Sequence, residues 1–435
     1  MRIGLVELLL ILLIAALSIG PSVALWVERW MRRAQKTSAA AARRRAAQEA
    51  QRAAEREAVL QRFQKLSIVF VLCMAAALVW GLVLRPIDVS PKAYTAPALS
   101  SAAAPAATEL GRADVLSVNG YQNVSCIREQ DGWLYLTAQE DTRNGRAALL
   151  RMQEDGSGLT SILTADGEIT GFDFDAEGNI WYTVVTTTGG ALCRVRYDNW
   201  GAASEQIVTQ IDGTALHCPT AVAVSPDGMV YFTDAAAVRT GSGAESALRT
   251  ELLAHTGTGS VYVYDPASRT VDTVLGGIAG ASGLALDPSA GKLYVSDLGS
   301  RCIWAVDPSA RDLTAGGKGC TAPFSGLPGY PGALALDEDG TLYISYRWAR
   351  SDWLERHSGT TLLRGMALRL SRTMQENLFS LPAGSTCAEA VDPSTGQWLL
   401  SFSGKSSSAC TAVGIAGNRV YFGASDEKKL YFAKI

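Results

Sequence analysis

The feature that most constrains the fold is a unit of two apolar runs joined by a tight turn, which recurs six times after residue 125. The turns contain Asp, Gly or Asn, and the second run of each copy is centred on an aromatic residue: Tyr135, Trp181, Tyr231, Tyr294, Tyr343 or Tyr421. Successive aromatics lie 46, 50, 63, 49 and 78 residues apart. A four-stranded blade of a β-propeller needs about 40–50 residues. The sequence therefore predicts an all-β fold, a six-bladed β-propeller over residues 113–435.

Two of these steps are long because they contain insertions, at residues 235–259 and from Arg347 onward. Both follow the second strand of a blade, so we expect them on the same face of the propeller. Binding residues concentrate on loops carried by a rigid scaffold, and this face is therefore the expected functional one. The stretch "ADVLSVNG" (113–120) is predicted to complete the last blade, because an open sheet edge invites aggregation.

The residues before 113 have a different composition. Residues 1–27 and 66–84 each contain an uncharged apolar run long enough to cross ~30 Å of hydrocarbon as a helix, and we expect two retained transmembrane helices. Residues 28–65 hold eleven Lys or Arg against four Glu and are predicted to form a cytoplasmic helix, either solvated or lying on anionic lipid head groups. The Pro-, Ala- and Ser-rich residues 85–112 are predicted to be an extended spacer.

This arrangement predicts a multi-pass protein of the cell membrane, with the lipid bilayer as one partner. The basic segment lies in the cytoplasm, so the propeller lies outside. The overall net charge of -3 gives no indication of a nucleic-acid partner.

Eight cysteines fit an exported domain, where disulfides persist. Cys73 lies in the second predicted span, and Cys126 is expected to be free. The remaining six are predicted to pair as Cys193–Cys218, Cys302–Cys320 and Cys387–Cys410. The alternative is that all of them are small buried apolar side chains.

Three segments carry a resemblance to a known family. These segments, which occur in the same order as in the family, are "CPTAVAVSPDGMVYFTD" from Cys218, "RTELLAHTGTGSVYVYDPASRTVDTVLGG" from Arg249, and "FSGLPGYPGALALDEDGTLYISYRWARSDWLE" from Phe324. They resemble the strictosidine synthase-like family, which includes the adipocyte plasma membrane-associated protein and belongs with the paraoxonases and gluconolactonases. The strand repeats alone also resemble NHL-type propellers. The resemblance implies a six-bladed propeller, often membrane-anchored, and in several relatives a calcium ion in the central channel.

The residues at the positions matching those calcium ligands decide what the resemblance implies for this chain. Thr220 and Ser282 stand where calcium-binding relatives have Asn, and Gly332 stands where Asp is expected. Thr411 lies where the alkaloid-forming member has a catalytic Glu. Because hydroxyls and a glycine do not balance an ion of charge +2, we expect no metal, no cofactor and loss of the family's catalytic residues.

Other candidate residues each have a structural alternative. His217, beside Cys218, is either a base at the channel mouth or a loop residue. Asp234 and Asp297 either line an axial pocket or cap the turns that follow their strands. The second insertion forms either a contact surface or a lid, with Arg347, Trp348, Trp353 and Arg356 as its candidate contact residues. No His-x-x-x-His spacing indicates zinc.

The first predicted span carries a second, weaker resemblance. Residues 1–35 resemble the small single-span subunits of the twin-arginine translocase, with Glu7, an apolar helix, Gly20-Pro21 and a basic segment. The family's Phe before Gly-Pro is Ile19 here, and convergence of a short membrane helix is the alternative explanation.

Two classes of function follow from the sequence. The first is a membrane-anchored extracytoplasmic propeller that binds a small molecule or a protein without catalysis. The alternative is a strictosidine synthase-like or lactonase/esterase-type enzyme with an atypical channel site.

Overall fold

The computed structural model describes residues 39–100, 105–110, 115–142, 145–200, 204–238, 243–377, 386–404, 410–424 and 427–435. The first predicted span and the translocase-like segment lie outside these residues. The chain divides into two compact units, Met1–Ile87 with Gly365–Met374, and Asp88–Arg364 with Gln375–Ile435.

The first unit contains one long helix, α1 (Ala39–Val79), which continues as a π-helical turn, Trp80–Leu84. The predicted basic helix and the second predicted span are thus one continuous element, because the sequence across residue 65 has neither Gly nor Pro to interrupt it. Among the described residues, Ala50–Leu84 is the one helix long and apolar enough to cross a membrane. Its large apolar side chains are exposed; Leu66 and Leu72, for example, are each more than half exposed.

The second unit is the predicted six-bladed propeller, with sheets that run from an innermost to an outermost strand. Blade 1 consists of β3 (Tyr121–Gln130), β4 (Trp133–Glu140), β5 (Ala147–Met152) and β6 (Thr160–Ala165). Blade 2 consists of β7 (Glu168–Phe174), β8 (Ile180–Val185), β9 (Gly190–Val195) and β10 (Glu205–Val208). Blade 3 consists of β13 (Val222–Val224), β14 (Val230–Asp234), β15 (Gly259–Asp265), β16 (Thr270–Ile278) and β20 (Leu313–Thr314). Blade 4 consists of β17 (Ala281–Asp287), β18 (Lys292–Asp297), β19 (Cys302–Val306) and β21 (Cys320–Ser325). Blade 5 consists of β22 (Gly329–Leu336), β23 (Leu342–Ala349), β24 (Thr386–Asp392), β25 (Gln397–Gly404) and β1 (Thr108–Leu110). Blade 6 consists of β26 (Cys410–Ala416), β27 (Arg419–Ala424), β28 (Lys429–Lys434) and β2 (Val115–Ser117). A short hairpin, β11 (Gln210–Ile211) with β12 (Thr214–Ala215), follows blade 2.

The six sequence copies are the two innermost strands of the six blades. The register pairs each central aromatic with a residue of its inner strand, as in Tyr135 with Arg128 and Trp181 with Asp173. Apolar clusters fill the spaces between adjacent blades. The predicted ring closure is also confirmed, since β2 pairs antiparallel with β28.

The two insertions contain helices, which the sequence analysis did not predict. The first forms α2 (Ala244–Ala254), and the second forms α3 (Asp352–Arg356), α4 (Thr361–Leu368) and α5 (Arg372–Glu376). The side chain of Arg364 donates from Nε to the carbonyl of Leu253 at 2.8 Å, which links the two insertions directly. The prediction that they emerge on the same face is therefore confirmed.

Part of the predicted spacer packs on these insertions instead of extending through solvent. The backbone N–H of Lys92 donates to the carbonyl of Ala254 at 2.9 Å, and that of Tyr94 donates to Ser358 at 3.2 Å. Farther along, Ser100 N–H donates to the carbonyl of Gly326 at 2.9 Å. Composition alone predicted an open linker because it could not show these partners.

All eight cysteines lie within the described residues and are free of disulfide bonds. The pairing of Cys302 with Cys320 is wrong, because the register places Cys302 opposite Ser325 and Cys320 four residues away opposite Val306, ~13 Å along the strand. Cys193 packs between blades 1 and 2, whereas Cys218 contacts the start of α2. Of the predicted pairs, Cys387 and Cys410 do lie together, as two thiols in hydrogen-bond contact.

Candidate functional site

The residues predicted at the channel mouth form a ring of hydrogen bonds between blades. A hydroxyl at the start of an inner strand donates to a backbone carbonyl of the next blade, and five blades repeat this contact: Ser125 to Ile169 (3.1 Å), Thr170 to Pro219 (2.7 Å), Thr220 to Ala281 (2.6 Å), Ser282 to Pro331 (2.9 Å) and Thr411 to Val124 (2.6 Å). We call these five side chains the hydroxyl ring. The predicted ligand positions Thr220, Ser282 and Thr411 therefore join blades, and their hydroxyl hydrogens are already used.

The sixth position of this ring is Gly332. A Cβ atom there would lie 3.1 Å from Ser345 Oγ and 3.4 Å from Arg347 Cβ, so the glycine leaves room for both side chains. The inner strands also approach closely at this level, since a Cβ on Gly283 would lie 2.2 Å from the carbonyl oxygen of Gly332. The inner strands of blades 4 and 5 therefore leave no room for a side chain between them at Gly283.

A second set of hydroxyls lies beside the hydroxyl ring, and three of its members, Thr137, Thr183 and Thr233, contact ring hydroxyls. The residues of this second set lie two positions after the central aromatic of each copy and are Thr137, Thr183, Thr233, Ser296 and Ser345. The sixth copy has Gly423 at this position. Thr233 Oγ1 lies 2.8 Å from Thr220 Oγ1, and Thr183 Oγ1 lies 3.0 Å from Thr170 Oγ1. The sequence carries this signal as a repeated aromatic-x-Thr/Ser, which the sequence analysis missed.

The ring does not fit a calcium ion. Calcium takes six to eight oxygen ligands and carboxylates to balance its charge, whereas the ring offers hydroxyls whose hydrogens point to neighbouring carbonyls. Among the described residues, no group of three or more His, Cys, Asp or Glu is arranged to hold a metal ion.

His217 and Asp234 are brought together at this face, mainly through the backbone. The carboxylate of Asp234 accepts the N–H groups of Cys218 at 2.6 Å and His217 at 3.1 Å. His217 Nδ1 is 4.0 Å from Asp234 Oδ2. Burial raises the pKa of Asp234, and the two N–H groups oppose that rise.

Asp297 caps the turn that follows its strand. It accepts Trp304 Nε1–H at 3.0 Å and the N–H of Ser300 at 3.0 Å. Burial raises the pKa of this carboxyl as well. Of the two alternatives for Asp297, an axial pocket or a turn cap, these hydrogen bonds match the turn cap.

The predicted contact surface is not a continuous exposed patch. Trp348 is buried, 6.0 Å from the guanidinium of Arg249 in α2, and Arg347 is half-buried beside Gly332. Trp353 packs against His357 with ring centroids 4.7 Å apart, while Arg356 is exposed. The second insertion therefore packs on this face against the first, and we call it the lid.

A buried ion pair fixes the lid. Arg301, fully buried, donates from Nε and Nη2 to the two carboxylate oxygens of Glu355 in α3, at 3.1 and 2.9 Å. Arg301 also donates to the carbonyls of Leu327 and Pro97, and Tyr330 OH donates to Glu355 at 3.0 Å. One arginine therefore joins blade 4, the lid and the segment before the propeller.

A cavity of about 840 Å³ opens at the other ends of the inner strands, and all six blades line it. We call it the axial cavity. Its walls include the inner-strand residues paired with the six central aromatics, which are Arg128, Asp173, Ala223, Ala285, Ala335 and Gly414. Four of these are Ala or Gly, and the two charged residues stand on adjacent blades. Neither charged residue was predicted, although both stand at the same position when the six copies are aligned on their aromatics.

The charged pair is loosely joined. Arg128 Nε is 3.9 Å from Asp173 Oδ1, and Arg128 Nη1 donates to the carbonyl of Ile127 at 3.0 Å. Asp173 accepts the N–H of Val224 at 2.9 Å on one oxygen and that of Phe174 at 3.0 Å on the other. Burial raises the pKa of Asp173, and Arg128 opposes that rise.

The comparisons with known proteins agree with this architecture. A family model described as SMP-30/gluconolactonase/LRE-like region matches residues 205–353. The curated protein strictosidine synthase-like 6 of Arabidopsis thaliana is 23% identical over 229 residues, which cover 52% of this chain and 53% of that protein. The chain is therefore similar to the SMP-30/gluconolactonase-like proteins over residues 205–353. It spans about half the length of this curated relative.

Two solved structures that are similar to this chain share its fold. A gluconolactonase from Xanthomonas campestris has a TM-score of 0.52 at 19% identity and covers 81% of this chain and 99% of its own. A luciferin-regenerating enzyme has a TM-score of 0.50 at 16% identity and covers 74% of this chain and 95% of its own. At these identities the likeness concerns the fold alone.

Proposed function

We propose that this chain is a membrane-tethered propeller that binds a small ligand in its axial cavity and has no metal-dependent catalysis. The observation that carries the proposal is the hydroxyl ring. Relatives of the resembling family place calcium ligands where Thr220 and Ser282 now donate to Ala281 and Pro331. Here the hydroxyls hold blades together, and they carry no negative charge to balance a divalent cation.

The open volume supports a binding role at the opposite end. Ligand sites are concave, mostly apolar and about 300–1,000 Å³ in size, with a few polar groups that orient the ligand. The axial cavity, at about 840 Å³, lies within that size range, and its lining combines apolar side chains with the Arg128–Asp173 pair and several acidic residues.

The tether is the helix that ends at Leu84. Apolar side chains exposed along 66–84 mark a surface that contacts something other than water. A bilayer fits because the apolar window is long enough to span it. With the basic residues 28–65 on the cytoplasmic side, the propeller lies outside.

Turnover by the full chain in detergent tests the proposal. A γ-lactone and an aryl ester would be followed with added calcium and after EDTA treatment. We expect no turnover above the buffer rate in either condition. Calcium-dependent hydrolysis that EDTA abolishes would contradict the proposal.

One observation favours the enzyme as a second candidate. His217 lies 4.0 Å from the carboxylate of Asp234, at the face where the family resemblance places catalytic groups. Such a pair can act as a base if the imidazole moves closer. Hydrolysis that persists in EDTA and is lost in His217→Gln would support this candidate.

A further inference from the structure

We infer that the axial cavity takes a small zwitterion of the ω-amino-acid class, whose carboxylate pairs with Arg128 and whose ammonium group lies at an acidic mouth. This inference rests on the proposed ligand-binding function and names the ligand class. It concerns the end of the channel opposite the lid.

The cavity wall leaves space for an aliphatic body. At the level of the charged pair, the cavity is lined by Ala223, Ala285 and Ala335, which have no polar side-chain atoms. Leu286 and Ile415 add apolar surface nearby. A chain of methylene groups is therefore accommodated without a polar partner along its length.

Arg128 is the anchor for the carboxylate. A guanidinium has five N–H donors. One nitrogen of Arg128 donates to the carbonyl of Ile127, and its nearest carboxylate, Asp173, lies 3.9 Å from Nε, which is longer than a hydrogen bond. Both oxygens of Asp173 already accept backbone N–H groups. Arg128 thus keeps donors for a ligand carboxylate, and charge-assisted hydrogen bonds of this kind are strong.

The cavity mouth has the opposite charge. Glu338 and Asp339, on the turn between β22 and β23, are exposed and line the cavity, and so is Glu129 of blade 1. We call these three residues the acidic mouth. A simple carboxylate can pair with Arg128 alone, and a simple ammonium can pair with the acidic mouth alone. A molecule that carries both charges at its two ends pairs with both.

Three probes of equal length separate these contributions. Isothermal titration calorimetry of the full chain in detergent would compare 6-aminohexanoate with hexanoate and with hexylamine. We expect 6-aminohexanoate to bind and each single-charge compound to bind at least tenfold more weakly. Equal binding by either single-charge compound, or no binding by 6-aminohexanoate at about 10 mM, would overturn the inference.

Substitutions test which cavity residues contribute to binding of 6-aminohexanoate. Arg128→Gln is expected to weaken 6-aminohexanoate at least tenfold, whereas Arg196→Gln, an exposed arginine of blade 2, should leave it unchanged. Thermal unfolding would verify that each variant is folded. Glu338→Gln, on an exposed turn where folding is not at risk, should weaken 6-aminohexanoate severalfold and not weaken hexanoate. Unchanged 6-aminohexanoate affinity in Arg128→Gln or in Glu338→Gln would contradict the assignment.

Failure of this inference differs from failure of the proposed function. Calcium-dependent lactone turnover together with Arg128-dependent binding would end the non-catalytic proposal and leave the cavity assignment intact. Absence of turnover together with absence of zwitterion binding would end the cavity assignment alone.

Discussion

Thr220 shows how one side chain determines what the axis of this propeller can do. Its hydroxyl is buried, donates to the carbonyl of Ala281 and is supported by Thr233. The sequence identified Thr220 as a poor calcium ligand, but it could not identify the partner, which lies 61 residues away on the next blade. Arg128 was not predicted for a related reason. Its copy-equivalent residues on the other five blades surround one cavity only because the fold brings them around a single axis.

Replacing Thr220 by Val should destabilise the propeller. The change preserves the shape of the side chain but leaves the buried carbonyl of Ala281 without its donor, which costs about 1–2 kcal/mol in free energy of unfolding. Thr164→Val, at an exposed position of the outermost strand of blade 1, is the matched control and should stay within ~0.5 kcal/mol. Urea unfolding measures both, and equal stabilities would show that the hydroxyl ring is not structural.

Glu389 gives the fold a dependence on pH. Burial raises the pKa of this carboxyl to about 7, although Tyr346 OH donates to it. A glutamate in the unfolded chain has a pKa of about 4.3, so the folded state holds the proton more tightly. The stabilisation from Glu389 is therefore full below about pH 4 and is lost as the pH rises through 7.

Glu389→Gln tests that sign. Relative to the unmodified chain, the variant should gain on the order of 2 kcal/mol in free energy of unfolding between pH 5 and 8, because it has no buried carboxyl to ionise. Glu338→Gln on an exposed turn serves as the control. A stability difference that does not change with pH would contradict the assignment.

At the scale of elements, the inner hairpins were predictable and the insertions were not. The aromatic residues and the Asp/Gly turns recur in each blade, so local sequence determines where these strands begin and end. The helix α2 has a helix-forming composition, but its position depends on contacts with the second insertion, such as that between Arg364 and Leu253. The packing of residues 88–100 on the lid depends in the same way on partners distant in sequence.

Arg364 should control access to that segment. Its guanidinium is fully buried and donates to the carbonyls of Leu253, Lys92 and Ser358. Arg364→Met removes all three hydrogen bonds, so we expect trypsin to cleave after Lys92 at least tenfold faster than in the unmodified chain. Mass spectrometry of the fragments measures the rate. Arg196→Met is the control, and equal cleavage rates would contradict this account of how the segment is held.

At the scale of the whole molecule, the sequence predicted the propeller and two apolar spans. The described residues contain the propeller and the second of these spans, as part of one long helix. The proposed orientation places the propeller outside the cell. Ser394 offers a test because it lies on an exposed turn of blade 5, while the native cysteines of the propeller are buried or half-buried. Ser394→Cys should react with a membrane-impermeant maleimide in intact cells. Labelling that appears only after lysis would place the propeller inside.

The central claim is that residues at the axis join blades and do not hold a metal. Thermal unfolding of the full chain in calcium and in EDTA, with metal analysis of the same sample, tests this most directly. The account predicts the same unfolding midpoint in both conditions and no calcium that survives dialysis. A midpoint several degrees higher in calcium, lost in EDTA and accompanied by about one bound ion per chain, would contradict it.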